Sequence, residues 1–158
     1  MKKVFLIRGL PGSGKSTKAK ELVELYKPQC KEVDPAHLET DRFFARKTSW
    51  NETGEYKFVP EKLGIAHHWN LNRFKDLIDL AFEVVIVSNT FTIKSELKPY
   101  VEYAHSRNYE IELLESSTPW AWDVEECFKK NIHGVPKESI QKMLNRFQRG
   151  LTVEEILS

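Results

Sequence analysis

Hydrophobic residues along the chain fall into short solid runs and longer periodic stripes. The runs centre on Lys3 to Arg8 and Glu83 to Ser88, and such runs are typical of strands that are covered on both faces. Shorter patterns predict two more strands, one near His37 to Thr40 and one over Tyr109 to Leu114. The chain is therefore expected to build a sheet of about four or five strands.

Helical periodicity separates these strands. Apolar residues recur every three or four positions over Lys15 to Tyr26, Glu61 to Phe82, Ile93 to Arg107 and Pro136 to Gly150. This alternation of strands and helices predicts an α/β fold with three α/β/α layers around a mainly parallel sheet. Residues 45–60 are expected to form an exposed loop.

Composition and charge limit the class of protein. The chain has 158 residues, 41% of them hydrophobic, and we expect residues 1–158 to form one domain. A net charge of +1 excludes a strongly basic polymer-coating protein and an acidic disordered chain. No apolar run approaches the roughly 18 residues of a membrane span, and we expect a cytoplasmic protein without a membrane partner. Cys30 and Cys127 lack metal-ligand spacing and are expected to be reduced thiols.

The motif G-x-x-x-x-G-K-[ST] lies between the first strand and the first helix, over Gly9 to Ser16. Backbone N–H groups of such a loop point at phosphate oxygens, Lys15 reaches the β and γ phosphates, and Ser16 offers a hydroxyl to Mg²⁺. A glycine-rich turn with a chance Lys-Ser is the alternative, and the flanking strand and helix argue against it. The predicted nucleotide contacts are Gly9, Pro11, Gly12, Ser13, Gly14, Lys15, Ser16 and Thr17, with ATP or GTP as the nucleotide.

A kinase is the enzyme class that this loop favours here. The chain has no N-K-x-D signature of GTP-specific switches and is short for an ATPase motor. A kinase needs a base for the acceptor hydroxyl, and Asp41 follows the second predicted strand, where the carboxyl edge of a parallel sheet lines the ligand crevice. The alternative is that Asp41 caps the next helical turn.

Four other polar residues each allow two interpretations. Asn89 and Thr90 follow the third predicted strand and could orient the acceptor or metal-bound water, or could simply terminate the strand. His67 and Asn70 fall on the stripe defined by Leu63, Phe74, Leu77 and Ala81. They could make buried hydrogen bonds or form part of an acceptor wall.

Positive charge is concentrated near the end of the chain. The basic residues of this segment are Lys129, Lys130, Lys137, Lys142, Arg146 and Arg149, and Glu138 is its only acidic residue. Lys142, Arg146 and Arg149 project opposite an apolar stripe, so they are either a solvated helix face or a surface for a nucleic acid backbone.

The motifs together resemble the 5′-hydroxyl polynucleotide kinase family, which includes phage end-repair kinases and compact eukaryotic domains. The matching segments, in family order, are Gly9 to Thr17, Thr40 to Phe44, Ala66 to Asn70, Val85 to Thr90, Lys98 to Tyr100 and Lys129 to Pro136.

The resemblance implies a P-loop kinase fold with a small helical lid at about 118–136. It implies that Asp41 is the general base, that Asn89 belongs to the acceptor pocket, and that Lys130 lies over the phosphates. Thr90 is expected beside Asn89 in that pocket, and either Arg42 or Arg46 could substitute there for a family arginine that this chain lacks. The chain departs from the family pattern at Phe44, where phage-type members carry Arg, and at Lys130, where Arg is usual. Phe91 likewise stands where Asn is frequent.

The resulting hypothesis is a kinase that uses Mg²⁺ to move the ATP γ-phosphoryl to the 5′-hydroxyl of a nucleic acid end. Lys15, Asp41 and Lys130 would be its catalytic residues. Two alternatives remain open: a small-metabolite or nucleoside kinase of the same fold, and a nucleotide-binding interaction domain with weak catalysis.

Overall fold

The computed structural model describes residues 1–158 and contains one sheet of four parallel strands in the order β2-β3-β1-β4. The strands are β1 (Lys3–Arg8), β2 (Ala36–Leu38), β3 (Val84–Asn89) and β4 (Glu110–Glu115). The helices are α1 (Lys15–Tyr26), α2 (Leu63–Asp79), α3 (Lys94–Ser106), α4 (Val124–Lys130), α5 (Lys137–Arg146) and α6 (Val153–Leu157). Short 3₁₀ helices cover Lys27–Gln29, Thr40–Ala45 and Pro60–Lys62.

Alternate residues of the central strands face two different hydrophobic layers. Val4 and Leu6 of β1 join a cluster with residues of α2, α3 and α6, whereas Phe5 and Ile7 pack with Ala19 and other residues of α1. Because both faces of the sheet are covered, β1 and β3 are almost continuously apolar. The predicted three-layer α/β/α fold is thereby confirmed. No helix is long and apolar enough to span a bilayer.

Several predicted boundaries differ from the structure. β2 ends at Leu38, so Asp41 lies in the following 3₁₀ helix and not at the strand end. The helix after Pro136 ends at Arg146, before Gly150, because the chain becomes extended at Phe147, whose ring packs on Trp122.

The buried face of α2 also differs from the predicted stripe. Ala66, Asn70, Phe74 and Ile78 are its buried residues, whereas Leu63 is exposed. The observed stripe repeats every four residues, so the helix is rotated relative to the face we predicted.

The segment 45–60 is more than an exposed loop. Asn51 is buried, and its side-chain amide donates to the carbonyls of Phe44 (2.9 Å) and Glu55 (2.8 Å). Trp50 and Tyr56 pack on the two phenylalanines of the 3₁₀ helix Thr40–Ala45. Aromatic packing thus holds this segment beside Asp41.

A fully buried arginine ties together the loops at the carboxyl edge of the sheet. Arg8, the last residue of β1, donates to the carbonyls of Phe91 (3.0 and 2.8 Å), Thr92 (3.3 Å) and Gln148 (2.7 Å). Its guanidinium also lies 3.2 Å from a carboxylate oxygen of Glu115. Phe91 has a left-handed backbone with φ 43°, unusual for a residue with a bulky side chain, and the two bonds from Arg8 to its carbonyl hold that conformation.

We expect Arg8→Met to lower the free energy of unfolding by about 3 to 5 kcal/mol, because it leaves buried carbonyls without donors. Urea unfolding measures the change. Arg149→Met is the matched control, since Arg149 is exposed and lies 3.9 Å from the same Glu115 carboxylate. The control should lose about 1 kcal/mol or less. Equal losses in the two variants would contradict the importance of the buried contacts.

Candidate active site

The loop from Gly9 to Ser16, named the P-loop below, connects β1 to α1 at the carboxyl edge of the sheet. Its backbone turns through a left-handed Gly14 (φ 102°), which precedes the first residue of α1. Lys15 folds back so that its ammonium donates to the Leu10 carbonyl at 2.9 Å. Ser16 and Thr17 are exposed in the first turn of α1, and Pro11 is half-buried. The open N-terminus of α1 and this lysine are features of an anion site.

The pKa of Lys15 is lowered to about 8. Burial is the cause, and the nearby carboxylates of Asp41 and Glu39 partly oppose it. Both acidic residues therefore lie close to the P-loop lysine.

The segment after β4 supports the P-loop from behind. The Ser13 and Ser116 hydroxyls are 2.7 Å apart, Thr118 donates to the Ser13 carbonyl at 2.8 Å, and the Trp120 indole donates to the Gly12 carbonyl at 3.0 Å. These bonds use carbonyl and hydroxyl groups of the P-loop, and none of them involves a backbone N–H group of the loop. The sequence motif does not reveal this support, because its residues lie more than a hundred positions away.

Close packing explains why glycine is required at Gly12. A Cβ atom there would lie 2.1 Å from the Cys127 carbonyl oxygen and 2.8 Å from the Asn131 nitrogen. The end of α4 therefore presses on the P-loop, and Gly12 also has a positive φ of 77°.

Glu39, which our sequence analysis did not single out, connects the P-loop to β3. Its carboxylate accepts hydrogen bonds from the hydroxyls of Ser16 (2.5 Å) and Ser88 (3.0 Å). Burial would raise the pKa of Glu39, but the hydrogen bonds from Ser16 and Ser88 and the charge of Arg42 leave it below its ordinary value. Glu39 is thus an ionised carboxylate beside the P-loop hydroxyl. The only feature of the sequence that could have pointed to Glu39 is its position two residues before Asp41, the expected general base.

His37 continues this polar chain away from the P-loop. Its Nε2 lies 2.6 Å from the Ser88 hydroxyl and 3.4 Å from the Glu39 carboxylate. Burial lowers the pKa of His37 to about 4, so its ring is neutral at pH 7.

Asp41 lies in the first turn of the 3₁₀ helix Thr40–Ala45, and its side chain does not cap that helix. Its two carboxylate oxygens face Tyr56, whose hydroxyl is 3.5 Å away, and His133, whose Nε2 is also 3.5 Å away. The rings of Tyr56 and His133 lie against each other with centroids 4.4 Å apart. Burial, followed by the charge of Asp41, raises the pKa of Tyr56, which stays a neutral donor.

Asn89 and Thr90, at the carboxyl end of β3, bond to two neighbouring backbone segments. The side-chain Oδ1 of Asn89 accepts from the Thr40 backbone N–H at 3.0 Å, and the Thr90 backbone carbonyl accepts from the Gly9 N–H at 3.2 Å. Asn89 therefore fixes the start of the helix that carries Asp41. Its assignment to the acceptor pocket stays a prediction.

The two polar residues that we placed on α2 have different environments. Asn70 is buried and donates to the Tyr100 hydroxyl at 3.0 Å, which matches the expected core hydrogen bond. His67 is exposed and not in the core, because α2 is rotated, and its Nδ1 lies 3.3 Å from the Thr40 hydroxyl.

Lys130, the last residue of α4, is exposed and lies over the Trp120 ring at 4.6 Å. Trp120 in turn bonds to the P-loop, and the position of Lys130 over the phosphates stays a prediction. Lys129 pairs with Glu126, and Lys137 pairs with Glu125, so part of the basic segment is neutralised locally. Arg42 donates to the His37 carbonyl at 2.5 Å and lies 3.5 Å from the Glu39 carboxylate.

The oxygen groups beside the P-loop suit Mg²⁺. This ion prefers oxygen ligands and is held by few protein groups together with substrate phosphates and water. Ser16 and Glu39 provide a hydroxyl and a carboxylate at one place. No group of three or more His, Cys, Asp or Glu side chains in the structure could hold a metal ion.

The chain has a P-loop kinase-like fold. It belongs to a family described as AAA domain, whose model matches residues 4–150. The human NEDD4-binding protein 2 is 37% identical over 157 residues, which are 98% of this chain and 8% of that protein.

Two solved structures show the same fold. A chain of the Pnkp1/Rnl/Hen1 RNA repair complex superposes with a TM-score of 0.57 at 21% identity, covering 92% of this chain and 43% of that one. A gluconokinase from Sinorhizobium meliloti 1021 superposes with a TM-score of 0.59 at 16% identity, covering 98% of this chain and 87% of that one.

We expect Gly12→Ala to weaken binding of a non-hydrolysable ATP analogue by about tenfold or more, because the methyl group must displace the end of α4 or the P-loop. Isothermal titration calorimetry measures this affinity. Gly150→Ala is the control, since Gly150 has a similar φ of 74° with nothing within 4 Å of its Cβ position. Comparable weakening in both variants would show that backbone strain alone matters.

We expect the affinity for the ATP analogue to fall as the pH rises above about 8. Phosphate binding favours the charged form of Lys15, so binding takes up a proton once the free ammonium has begun to dissociate. The loss should approach about tenfold per pH unit. Calorimetry across this range tests the slope. Lys15→Arg should bind with a flatter profile, because arginine stays charged, and an unchanged slope in that variant would assign the titration to another group.

Proposed function

We propose that residues 1–158 form one kinase domain that transfers the γ-phosphoryl of ATP to the 5′-hydroxyl of a nucleic acid end. The observation that carries this proposal is the position of Asp41: it is near the P-loop lysine, and its carboxylate faces the Tyr56 and His133 side chains. The domain includes a lid over residues 118–136, which contacts the P-loop through Trp120 and α4.

In the proposed reaction, Asp41 accepts the proton of the acceptor hydroxyl as the hydroxyl oxygen attacks the γ-phosphorus. The bond between the γ-phosphorus and the β–γ bridging oxygen breaks, and ADP leaves. Lys15 and Lys130 neutralise charge on the transferred phosphoryl, and backbone N–H groups of the P-loop orient the donor. Ser16, beside Glu39, would hold Mg²⁺, which neutralises the phosphate oxygens when bound.

Similarity to a chain of an RNA repair complex supports a nucleic acid acceptor. The similarity to a gluconokinase, together with a site open at Asp41, supports the second candidate, a small-metabolite kinase. An acceptor panel separates the two. We expect a 5′-hydroxyl oligonucleotide to be phosphorylated with a higher kcat/KM than free nucleosides, sugars or small alcohols. An inert oligonucleotide beside an active small acceptor would replace the first candidate with the second.

We expect Asp41→Asn to lower kcat by about 10²-fold or more while binding of the ATP analogue stays near the wild-type value. Single-turnover transfer and calorimetry measure the two quantities. Asp76→Asn, which changes an exposed aspartate of α2, is the matched control and should behave like wild type. A collapse of nucleotide binding in Asp41→Asn would make Asp41 a part of the nucleotide site instead of the base.

A further inference from the structure

Two arginines from distant parts of the chain share one indole ring outside the P-loop. Arg46 lies at the end of the helix that carries Asp41, and Arg73 belongs to α2. Their guanidinium carbons lie 4.9 Å and 4.6 Å from the centre of the Trp69 ring. Arg46 also lies 4.3 Å over Phe43. Aromatic packing therefore fixes both guanidinium groups in place.

These charges lack acidic partners. Arg46 donates to the Phe43 carbonyl at 3.1 Å but forms no ion pair, and neither does Arg73. Arg46 and Arg73 are named the arginine cluster below. Burial lowers the pKa of Arg73, and the charges of Arg42 and Arg46 lower it further.

The cluster has the chemistry of an anion site. Like charges near one another repel each other, and an anion that binds close to both of them reduces that repulsion. Guanidinium groups donate in a planar fork that matches phosphate oxygens. Because Arg46 and Arg73 already pack on rings, little side-chain freedom is lost when they bind.

The cluster also lies at a suitable distance from the proposed base. Asp41 and Arg46 are five residues apart in a 3₁₀ helix and its cap, which corresponds to about 10 Å along the helix axis. A nucleic acid strand that rises about 3.4 Å per nucleotide covers this distance in about three nucleotides.

We propose that the arginine cluster binds the phosphodiester backbone of a single-stranded acceptor, a few nucleotides from the 5′-hydroxyl held at Asp41. This inference rests on the proposed function. It places the polymer along Arg46 and Arg73, and not along the basic residues Lys142 and Arg146 of α5.

The arginine cluster and the basic face of α5 lie at different places relative to Asp41, and this difference favours the cluster as the polymer site. α5 packs with Leu10 and Cys127 behind the P-loop and lid, whereas the arginine cluster continues from the helix that carries Asp41. A net charge of +1 suits a few local phosphate contacts better than coverage of a long duplex, and we therefore take a short single strand as the ligand.

The test compares a dinucleotide with an oligonucleotide that is long enough to reach the cluster, both carrying a 5′-hydroxyl. We expect Arg46→Gln and Arg73→Gln each to lower kcat/KM for the oligonucleotide by about fivefold to tenfold at low salt. Each should reduce the slope of log kcat/KM against log salt by about 0.7. The dinucleotide should react at the wild-type rate. Arg46→Lys and Arg73→Lys should keep most of the salt slope, because the charge remains.

Three outcomes would overturn the cluster assignment. The first is unchanged oligonucleotide kinetics in both glutamine variants, which would leave only a packing role. The second is an equal loss for the dinucleotide, with a lower melting temperature, which would show a structural defect. The third is a flattened salt slope in Lys142→Gln and Arg146→Gln instead, which would move the polymer to α5.

Direct binding separates failure of this inference from failure of the proposed function. If the wild-type protein phosphorylates neither acceptor, the kinase proposal fails, and fluorescence anisotropy of a labelled single strand still tests the cluster. Weaker binding in the glutamine variants supports the nucleic acid site without the activity. Absence of binding, or equal competition by a polyglutamate peptide, overturns it in favour of no ligand or an acidic protein partner.

Discussion

The buried guanidinium of Arg8 is the contact on which the geometry of the carboxyl edge depends. Parallel strands bring several loops to one edge, but nothing in the ladder itself fixes those loops relative to each other. Arg8 does so by bonding to the turn after β3, to Glu115 at the end of β4 and to the chain after α5. Since the P-loop begins at the next residue, its position is tied to all of these segments.

Around this fixed edge, the P-loop and the segment that carries Asp41 are held in place by different kinds of contact. The P-loop is held by side-chain hydrogen bonds with Ser116, Thr118 and Trp120, none of which uses a backbone N–H group of the loop. The segment that carries Asp41 is held by aromatic packing around Phe43 and Phe44. Glu39 lies two residues before Asp41, and its carboxylate accepts a hydrogen bond from the Ser16 hydroxyl, so it connects this segment to the P-loop.

The parts of the fold that depend on local sequence could be predicted. The strands β1 and β3 are solid apolar runs, and the P-loop motif joins β1 to a helix that begins at Lys15 as expected. The three-layer arrangement follows because the strands and helices alternate. The prediction was wrong where tertiary packing overrides the local pattern. In α2, for example, the buried face includes Ala66 and not Leu63.

The contacts that shape the candidate site could not be predicted, since they join segments that are distant in the sequence. The pairing of β2 with β3 brings Ser88 to Glu39, a contact that needs the strand order. The approach of His133 to Asp41 depends on how the chain runs between α4 and α5. The position of Tyr56 depends on the conformation of residues 46–59, which lack helices and strands. Periodicity and motif spacing contain none of this information.

The strand that leads to the acceptor side is short, and this gives the domain an uneven local stability. β2 is an edge strand that pairs with β3 over only three residues, whereas β1 pairs along six residues with neighbours on both sides. Local opening of a protein requires less free energy where fewer backbone hydrogen bonds and buried contacts must break. We therefore expect amide hydrogens of β2 and of the helix carrying Asp41 to exchange faster than those of β1. The segment around Asp41 can then open locally while the P-loop keeps its shape.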